Sequence, residues 1–126
     1  MANITNCEVF LLQNNELAGT IPTEIGVLTL MTDLLLGGNR LVGRIPTDLG
    51  LLTDLEYLDL SDTELIGTLP SEIGRLTNLE KLFLNDTLIE GPLPSEISLL
   101  SNLQPDQSNL TSSLIPVESI DDLVLS

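Results

Sequence analysis

The sequence repeats itself every 24 residues, four times and without an insertion or deletion. Between the residues that mark the period, the chain follows the pattern LxxLxLxxNxLxGxIPxxIGxLxx, which is most complete in residues 31–54. A repeat of this length and leucine spacing is typical of a solenoid, in which each repeat forms one coil. Solenoids present extended surfaces to partners, so the pattern indicates recognition rather than chemistry. The period is marked by Cys7, Met31, Leu55, Leu79 and Leu103.

Seven positions of the repeat are apolar in all four copies, although the whole chain is only 42% hydrophobic. Around LxL the apolar residues alternate with others at a period of two, which predicts a short strand with its leucines inward. Because equivalent strands of successive coils stack side by side, we expect a parallel sheet. In the third repeat the inward positions are Leu55, Leu58, Leu60, Leu65, Leu69, Ile73 and Leu76.

The other repeated residues are expected to turn the corners of each coil. Asn15 and Asn39 stand where an amide can bond turn backbone, and Thr63 and Thr87 replace it with a hydroxyl, so this set of turns should weaken toward the C-terminus. The hydroxyl after each proline is expected to cap a short helical turn, and a glycine three residues later to end it. These hydroxyls belong to Thr23, Thr47, Ser71 and Ser95, and the glycines are Gly26, Gly50 and Gly74.

The LxGxIPxxIG half of the repeat resembles the plant-type leucine-rich repeats of receptor-like kinase ectodomains and polygalacturonase-inhibiting proteins. The resemblance covers residues 7–103. It implies an α/β repeat solenoid: a right-handed superhelix with a concave parallel sheet, a second short strand near LxGxIP, and short helical or 3-10 turns on the convex side. It also implies extracellular binding of a protein or peptide. The chain departs from this family by lacking the paired cysteines of its caps.

The repeats divide the chain into three parts. Residues 1–6 are a lead-in, residues 7–103 are the four repeats, and residues 104–126 continue the pattern poorly. At the next inward sites the tail places Asp106 and Ser108, which would bury polar groups without evident partners. We therefore interpret residues 104–126 as a degenerate fifth repeat that acts as a cap, with a disordered tail as the alternative.

Charge and composition exclude several functions. Nineteen acidic residues against four basic ones give a net charge of −15, which argues against binding to nucleic acid or to an anionic membrane. The absence of histidine and the single cysteine exclude histidine triads, zinc clusters and an internal disulfide. We expect neither a cofactor nor enzymatic activity, since acids on an open surface lack a pocket that would shift their pKa values. Cys7 is interpreted as an inert core thiol, with a lost cap disulfide as the alternative.

Several sequence features bear on where the protein is located. Residues 1–7 lack the basic start and apolar run of a signal peptide, and no segment is long and apolar enough to span a membrane. Three glycosylation acceptor patterns begin at Asn3, Asn85 and Asn109. We expect part of a longer extracellular or cell-surface protein, with a cytoplasmic chain as the alternative.

The outward residues of the LxL strands are the candidate contact surface. They form an apolar stripe flanked by acids, which suits a protein or peptide with basic groups and apolar anchors. Isolated exposed apolar residues are also normal on any protein surface. A stacking module that self-associates through uncapped ends is the alternative function, and binding of ice or glycan by rows of hydroxyls is a distant third. The candidate residues are Leu11, Asp33, Leu35, Glu56, Tyr57, Asp59, Lys81 and Phe83.

Overall fold

The computed structural model describes residues 6–104, which form four successive coils. Every coil contains a first short strand, a second short strand and a 3-10 helix of five residues. The first strands are β1 (Val9–Leu11), β3 (Asp33–Leu35), β5 (Tyr57–Asp59) and β7 (Lys81–Phe83). The second strands are β2 (Ala18–Thr20), β4 (Arg40–Arg44), β6 (Glu64–Gly67) and β8 (Leu88–Ile89). The 3-10 helices are Thr23–Val27, Thr47–Leu51, Ser71–Arg75 and Ser95–Leu99.

The first strands form one parallel sheet in the order β1-β3-β5-β7. Each residue pairs with the residue 24 positions later, as Val9 does with Asp33 and Asp33 with Tyr57. Residues at the same repeat position therefore stand side by side, which confirms the predicted columns of outward side chains. The cap predicted for residues 104–126, like Asn3 and Asn109, lies outside the described residues, apart from Gln104.

The inward positions form one continuous apolar core between the sheets and the helices. In the two middle coils all seven positions are buried, and Leu55 and Leu58 have no exposed surface. The end coils are more open, because each has a neighbour on one side only within residues 6–104; Leu17 of the first coil is 37% exposed. Burying one leucine contributes about 1.5–3 kcal/mol, so the stacked leucines are the main source of stability.

The second strands also form a parallel sheet, in the order β2-β4-β6-β8, but with a different register. Here each residue pairs with the residue 22 positions later, as Ala18 does with Arg40 and Ile66 with Leu88. The second sheet is thus offset by two residues per coil from the sequence repeat, a feature that the periodicity did not predict. Neighbours on its outer surface come from different repeat positions.

The turn after the first strand is bridged by an asparagine, as predicted. The buried Asn39 amide donates to the carbonyls of Leu12 and Leu36, both at 2.8 Å. Its side-chain oxygen accepts the backbone N–H groups of Asn15 and Leu17, both at 3.1 Å. Asn39 therefore ties the second coil to the first.

The threonines that replace this asparagine make fewer hydrogen bonds. The Thr63 hydroxyl donates to the carbonyl of Leu60 at 2.8 Å, and Thr87 makes the equivalent bond to Leu84 at 3.1 Å. Both bonds stay within one coil. Thr87 also accepts the Ile89 N–H at 3.3 Å. Because the Asn15 side chain likewise bonds only within its own coil, the bridging turn among the described residues is specific to Asn39, and a steady weakening toward the C-terminus is not seen.

Two predictions about the 3-10 helices were wrong. Their N-cap residues are the prolines, such as Pro46, and the following hydroxyl makes no capping bond because it already belongs to the first helical residue. Gly50 lies inside its helix rather than after it. A Cβ at Gly50 would stand 2.7 Å from the backbone oxygen of Glu72, so glycine is required there for the close approach of two coils.

Salt should stabilise the fold. An acidic residue occupies the first turn of every 3-10 helix, and these helices stack on one another, so like charges line this side of the solenoid. We expect the melting temperature to rise as NaCl increases to about 0.2 M, where the Debye length falls to about 7 Å. Circular-dichroism melts at several NaCl concentrations measure this. A flat or falling melting temperature would contradict the self-repulsion. The acidic residues are Glu24, Asp48, Glu72 and Glu96.

Candidate binding surface

The outward face of the first sheet carries the predicted contact residues in two columns. Val9 and Leu11 at the first coil are 45% and 58% exposed, and the later members of both columns are half-buried. Glu56, also half-buried, lies immediately before β5. One column contains Leu11, Leu35, Asp59 and Phe83, and the other contains Val9, Asp33, Tyr57 and Lys81.

A lysine and a tyrosine of neighbouring strands meet on this face. The Lys81 ammonium nitrogen lies 6.0 Å from the centroid of the Tyr57 ring, at the outer limit of a cation–π contact. The pair joins β5 to β7 across the face. Asp33 is the neighbour of Tyr57 on the other side, so the ring stands between an acidic and a basic residue in its column.

Asp59 is held in a fixed orientation by Ser61. One carboxylate oxygen, Oδ1, accepts the Ser61 backbone N–H at 2.9 Å and the Ser61 hydroxyl at 2.6 Å. These bonds draw the carboxylate toward the end of β5, next to Gly37 of the preceding coil. Asp59 therefore belongs to the rim of the sheet as well as to the column in which the sequence placed it.

A polar cavity of about 540 Å³ lies at this rim, at the ends of the first strands. Most of its lining was not among the predicted contact residues. A signal was present in the sequence, since residues 37–38 are Gly-Gly where the other three repeats carry polar side chains at both positions. The lining residues are Gln13, Asn14, Gly37, Gly38, Asp59, Ser61 and Asp62.

The first coil has an apolar opening of about 210 Å³. It arises because the core residues of that coil are covered on one side only within residues 6–104. Its lining includes Phe10, Leu12, Leu17, Ile21 and Ile25.

Cys7 is half-buried and packs against the core, and its thiol donates to the Val9 carbonyl at 3.4 Å. Within residues 6–104, no three acids or cysteines come together as a metal site, and no helix could cross a membrane.

Known proteins share this architecture. A family model described as Leucine Rich Repeat matches residues 54–76. The LRR ectodomain of the plant membrane receptor kinase GASSHO1/SCHENGEN3 from Arabidopsis thaliana, solved in complex with CASPARIAN STRIP INTEGRITY FACTOR 2, matches with a TM-score of 0.82 and 31% identity. That match covers 89% of this chain and 13% of the receptor chain. The chain belongs to the plant-type leucine-rich-repeat family.

Other structures agree with this leucine-rich-repeat assignment. The ectodomain of the receptor kinase SOBIR1 from Arabidopsis thaliana has a TM-score of 0.75 and 33% identity, over 80% of this chain and 54% of that one. The Arabidopsis receptor kinase HAESA ectodomain, in complex with an IDA peptide hormone ligand, has a TM-score of 0.74 and 35% identity, over 75% of this chain and 16% of that one. The leucine-rich-repeat chain thus spans about half or less of each ectodomain. A search of curated protein sequences gave no significant match.

Proposed function

We propose that this leucine-rich-repeat segment binds a protein or peptide on the outward face of its first sheet, as part of a longer extracellular receptor or inhibitor. The observation that carries the proposal is the grouping of apolar, aromatic and acidic side chains on that one face. Two of the similar ectodomains were solved with a peptide hormone or an integrity factor bound, which supports the same use here. The acidic balance of the chain favours a partner with basic groups.

A random peptide library displayed on phage tests this proposal. The chain, produced in a secretory host, serves as the bait, and the affinity of enriched peptides is then measured by isothermal calorimetry. Tyr57→Ala with Phe83→Ala removes the two aromatic residues of the face, and we expect at least about a tenfold loss of affinity because such anchors dominate interface energy.

A matched control removes equal numbers of apolar side chains elsewhere. Leu51→Ala with Leu99→Ala changes two exposed residues of the 3-10 helices, which lie away from the first sheet. These changes should leave the affinity unaltered. Equal losses of affinity in the two double variants would reject the first sheet as the binding face. The same conclusion would follow if neither double variant changed the affinity of the peptides.

Glycosylation at Asn85 gives a separate prediction. Asn85 follows β7 and is half-buried at the same rim, where its amide donates to the Asp86 carboxylate at 3.1 Å. A glycan there would stand over the binding face, so an occupied Asn85 and partner binding should exclude each other. Mass spectrometry of secreted protein measures the occupancy. Full occupancy, with affinity unchanged after enzymatic removal of the glycan, would place the partner elsewhere.

The apolar opening of the first coil supports a second candidate function, self-association through the solenoid end. In an uncapped repeat protein such an end can stack on another coil. The net charge of −15 opposes this association. Sedimentation at several concentrations separates the two functions: a monomer supports partner binding, and a dimer that persists in the Tyr57→Ala, Phe83→Ala protein supports stacking.

A further inference from the structure

The Gly-Gly pair of the second coil leaves a gap in the rim of the first sheet. The first of the two positions is occupied by Gln13, Gly37, Ser61 and Asn85 in successive coils, and the second by Asn14, Gly38, Asp62 and Asp86. Two neighbouring side chains are thus missing at one coil only. The polar cavity of about 540 Å³ lies over this gap and is bordered by the coils on either side.

Backbone conformation explains one of the two glycines. Gly38 has φ +72°, in the left-handed region that Asn14, Asp62 and Asp86 also adopt in their own coils. The backbone would therefore tolerate asparagine or aspartate there. A Cβ at Gly38 would nevertheless clash with the side-chain oxygen of Asn14, which reaches over this position from the preceding coil. Gly37 does not have a positive φ. Its lack of a side chain is not required by its backbone.

The surroundings of Gly37 supply the missing reason. A Cβ at this position would lie 2.8 Å from both carboxylate oxygens of Asp59. Glycine therefore admits the Asp59 carboxylate over the bare backbone of the preceding coil, where Ser61 holds it through Oδ1. Within residues 6–104, Oδ2 of Asp59 accepts no hydrogen bond. The cavity thus has an anchored acceptor at its floor.

Two of the backbone groups at the gap are already used. The Gly37 carbonyl accepts the Asn14 N–H at 2.9 Å, and the Gly38 N–H donates to the Ser61 carbonyl at 2.9 Å. The cavity therefore presents to a ligand mainly the carboxylate oxygens of Asp59 and of the exposed Asp62, beside the side-chain amides of Gln13 and Asn14. An acceptor-rich cavity of this kind suits a group that only donates hydrogen bonds.

We propose that this cavity receives the guanidinium group of an arginine side chain on the partner bound to the first sheet. Asp59 is the anchor and Asp62 the second acceptor. A planar guanidinium presents several N–H donors in a fixed fork that matches carboxylates, whereas a lysine ammonium is a point charge that keeps its water more strongly. The inference rests on the proposed binding face and adds its main specificity determinant.

Nuclear magnetic resonance tests the cavity without knowledge of the partner. Backbone amide shifts of the full chain are followed while N-acetyl-arginine amide is added at low salt. Saturable shifts are expected at Gly37, Gly38 and Ser61. The matched probe is N-acetyl-citrulline amide, which has nearly the same shape and no charge and should produce no saturable shift.

Matched variants separate the cavity from general attraction to an acidic protein. Asp59→Asn keeps an oxygen for the Ser61 bonds but removes the charge, and it should weaken arginine binding at least about tenfold, a change equivalent to about 1.4 kcal/mol. Asp62→Asn is compatible with the left-handed backbone and should also weaken binding. Asp54→Asn removes the same charge from an exposed position outside both the cavity and the first sheet and should have little effect.

The results of these experiments distinguish a failure of the arginine site from a failure of the proposed binding face. Amide shifts spread over the whole acidic surface, or equal losses of affinity in Asp59→Asn and Asp54→Asn, would overturn the arginine site. If selected peptides still lost affinity in the Tyr57→Ala, Phe83→Ala protein, the binding face would stand without the arginine site. Localised, saturable shifts that depend on Asp59 support the site whatever partner is found.

Discussion

Leu58→Asp is expected to abolish the cooperative fold. Leu58 has no exposed surface and is paired in register with Leu34 on one side and Leu82 on the other. An unpaired carboxylate at this point would cost more than about 5 kcal/mol, which matches the whole stability of many domains. A repeat protein needs about three stacked repeats for stability, and a break in the third of four coils leaves no such run.

The measurement is a thermal melt followed by circular dichroism, and the sequence supplies a matched control. Leu30→Asp makes the same substitution at a residue that is 45% exposed. The second repeat already carries an aspartate, Asp54, at this position. The control should melt within a few degrees of the parent. A parent-like melt of the Leu58→Asp protein would contradict the solenoid.

Asn39→Ala is expected to be the most damaging change at a polar position. It removes the side chain that bonds Leu12, Asn15 and Leu17 of the first coil and Leu36 of its own coil. Leaving several buried or half-buried backbone groups unpaired should cost about 3 kcal/mol. For a domain of this size, that loss lowers the melting temperature by about 15 °C.

Asn15→Ala is the control for this change. Asn15 occupies the same repeat position one coil earlier, but within residues 6–104 its amide bonds only Leu12 and Gln13 of its own coil, in exposed surroundings. Its removal should cost less than about 1 kcal/mol. Equal destabilisation by the two variants would mean that the bridge between coils contributes little.

The parts of the fold that depend on burial could be predicted from the sequence. A leucine at each inward position is stable only when its side chain is buried in the core. The spacing of these leucines therefore indicates the strands, the stacking of the coils and the columns of outward residues. The glycines with a left-handed backbone were also predictable, because glycine recurs at one repeat position and adopts this conformation without a steric penalty. Two of them, Gly43 and Gly67, have φ of +82° and +83°.

The parts that depend on contacts between coils could not be predicted. Whether Gly50 ends a helix or lets a neighbouring coil approach is decided by the position of Glu72 in the next coil. The cavity at Gly37 has the same origin, because Asp59 reaches it from the following coil. A single repeat does not contain that information, and the residues that bind a partner remain predictions for the same reason.

Because of the two-residue offset of the second sheet, the flank of the molecule responds differently from the first sheet when repeats are exchanged or duplicated during evolution. Exchanging one whole repeat for another alters a single row of the first sheet and keeps its columns intact. On the flank, Arg44, Ile66 and Leu88 are lateral neighbours although each comes from a different position of its repeat. A surface on the flank therefore combines different repeat positions from several coils, and copying one repeat does not reproduce it. Duplication of repeats preserves the columns of the first sheet but changes which side chains are neighbours on the flank.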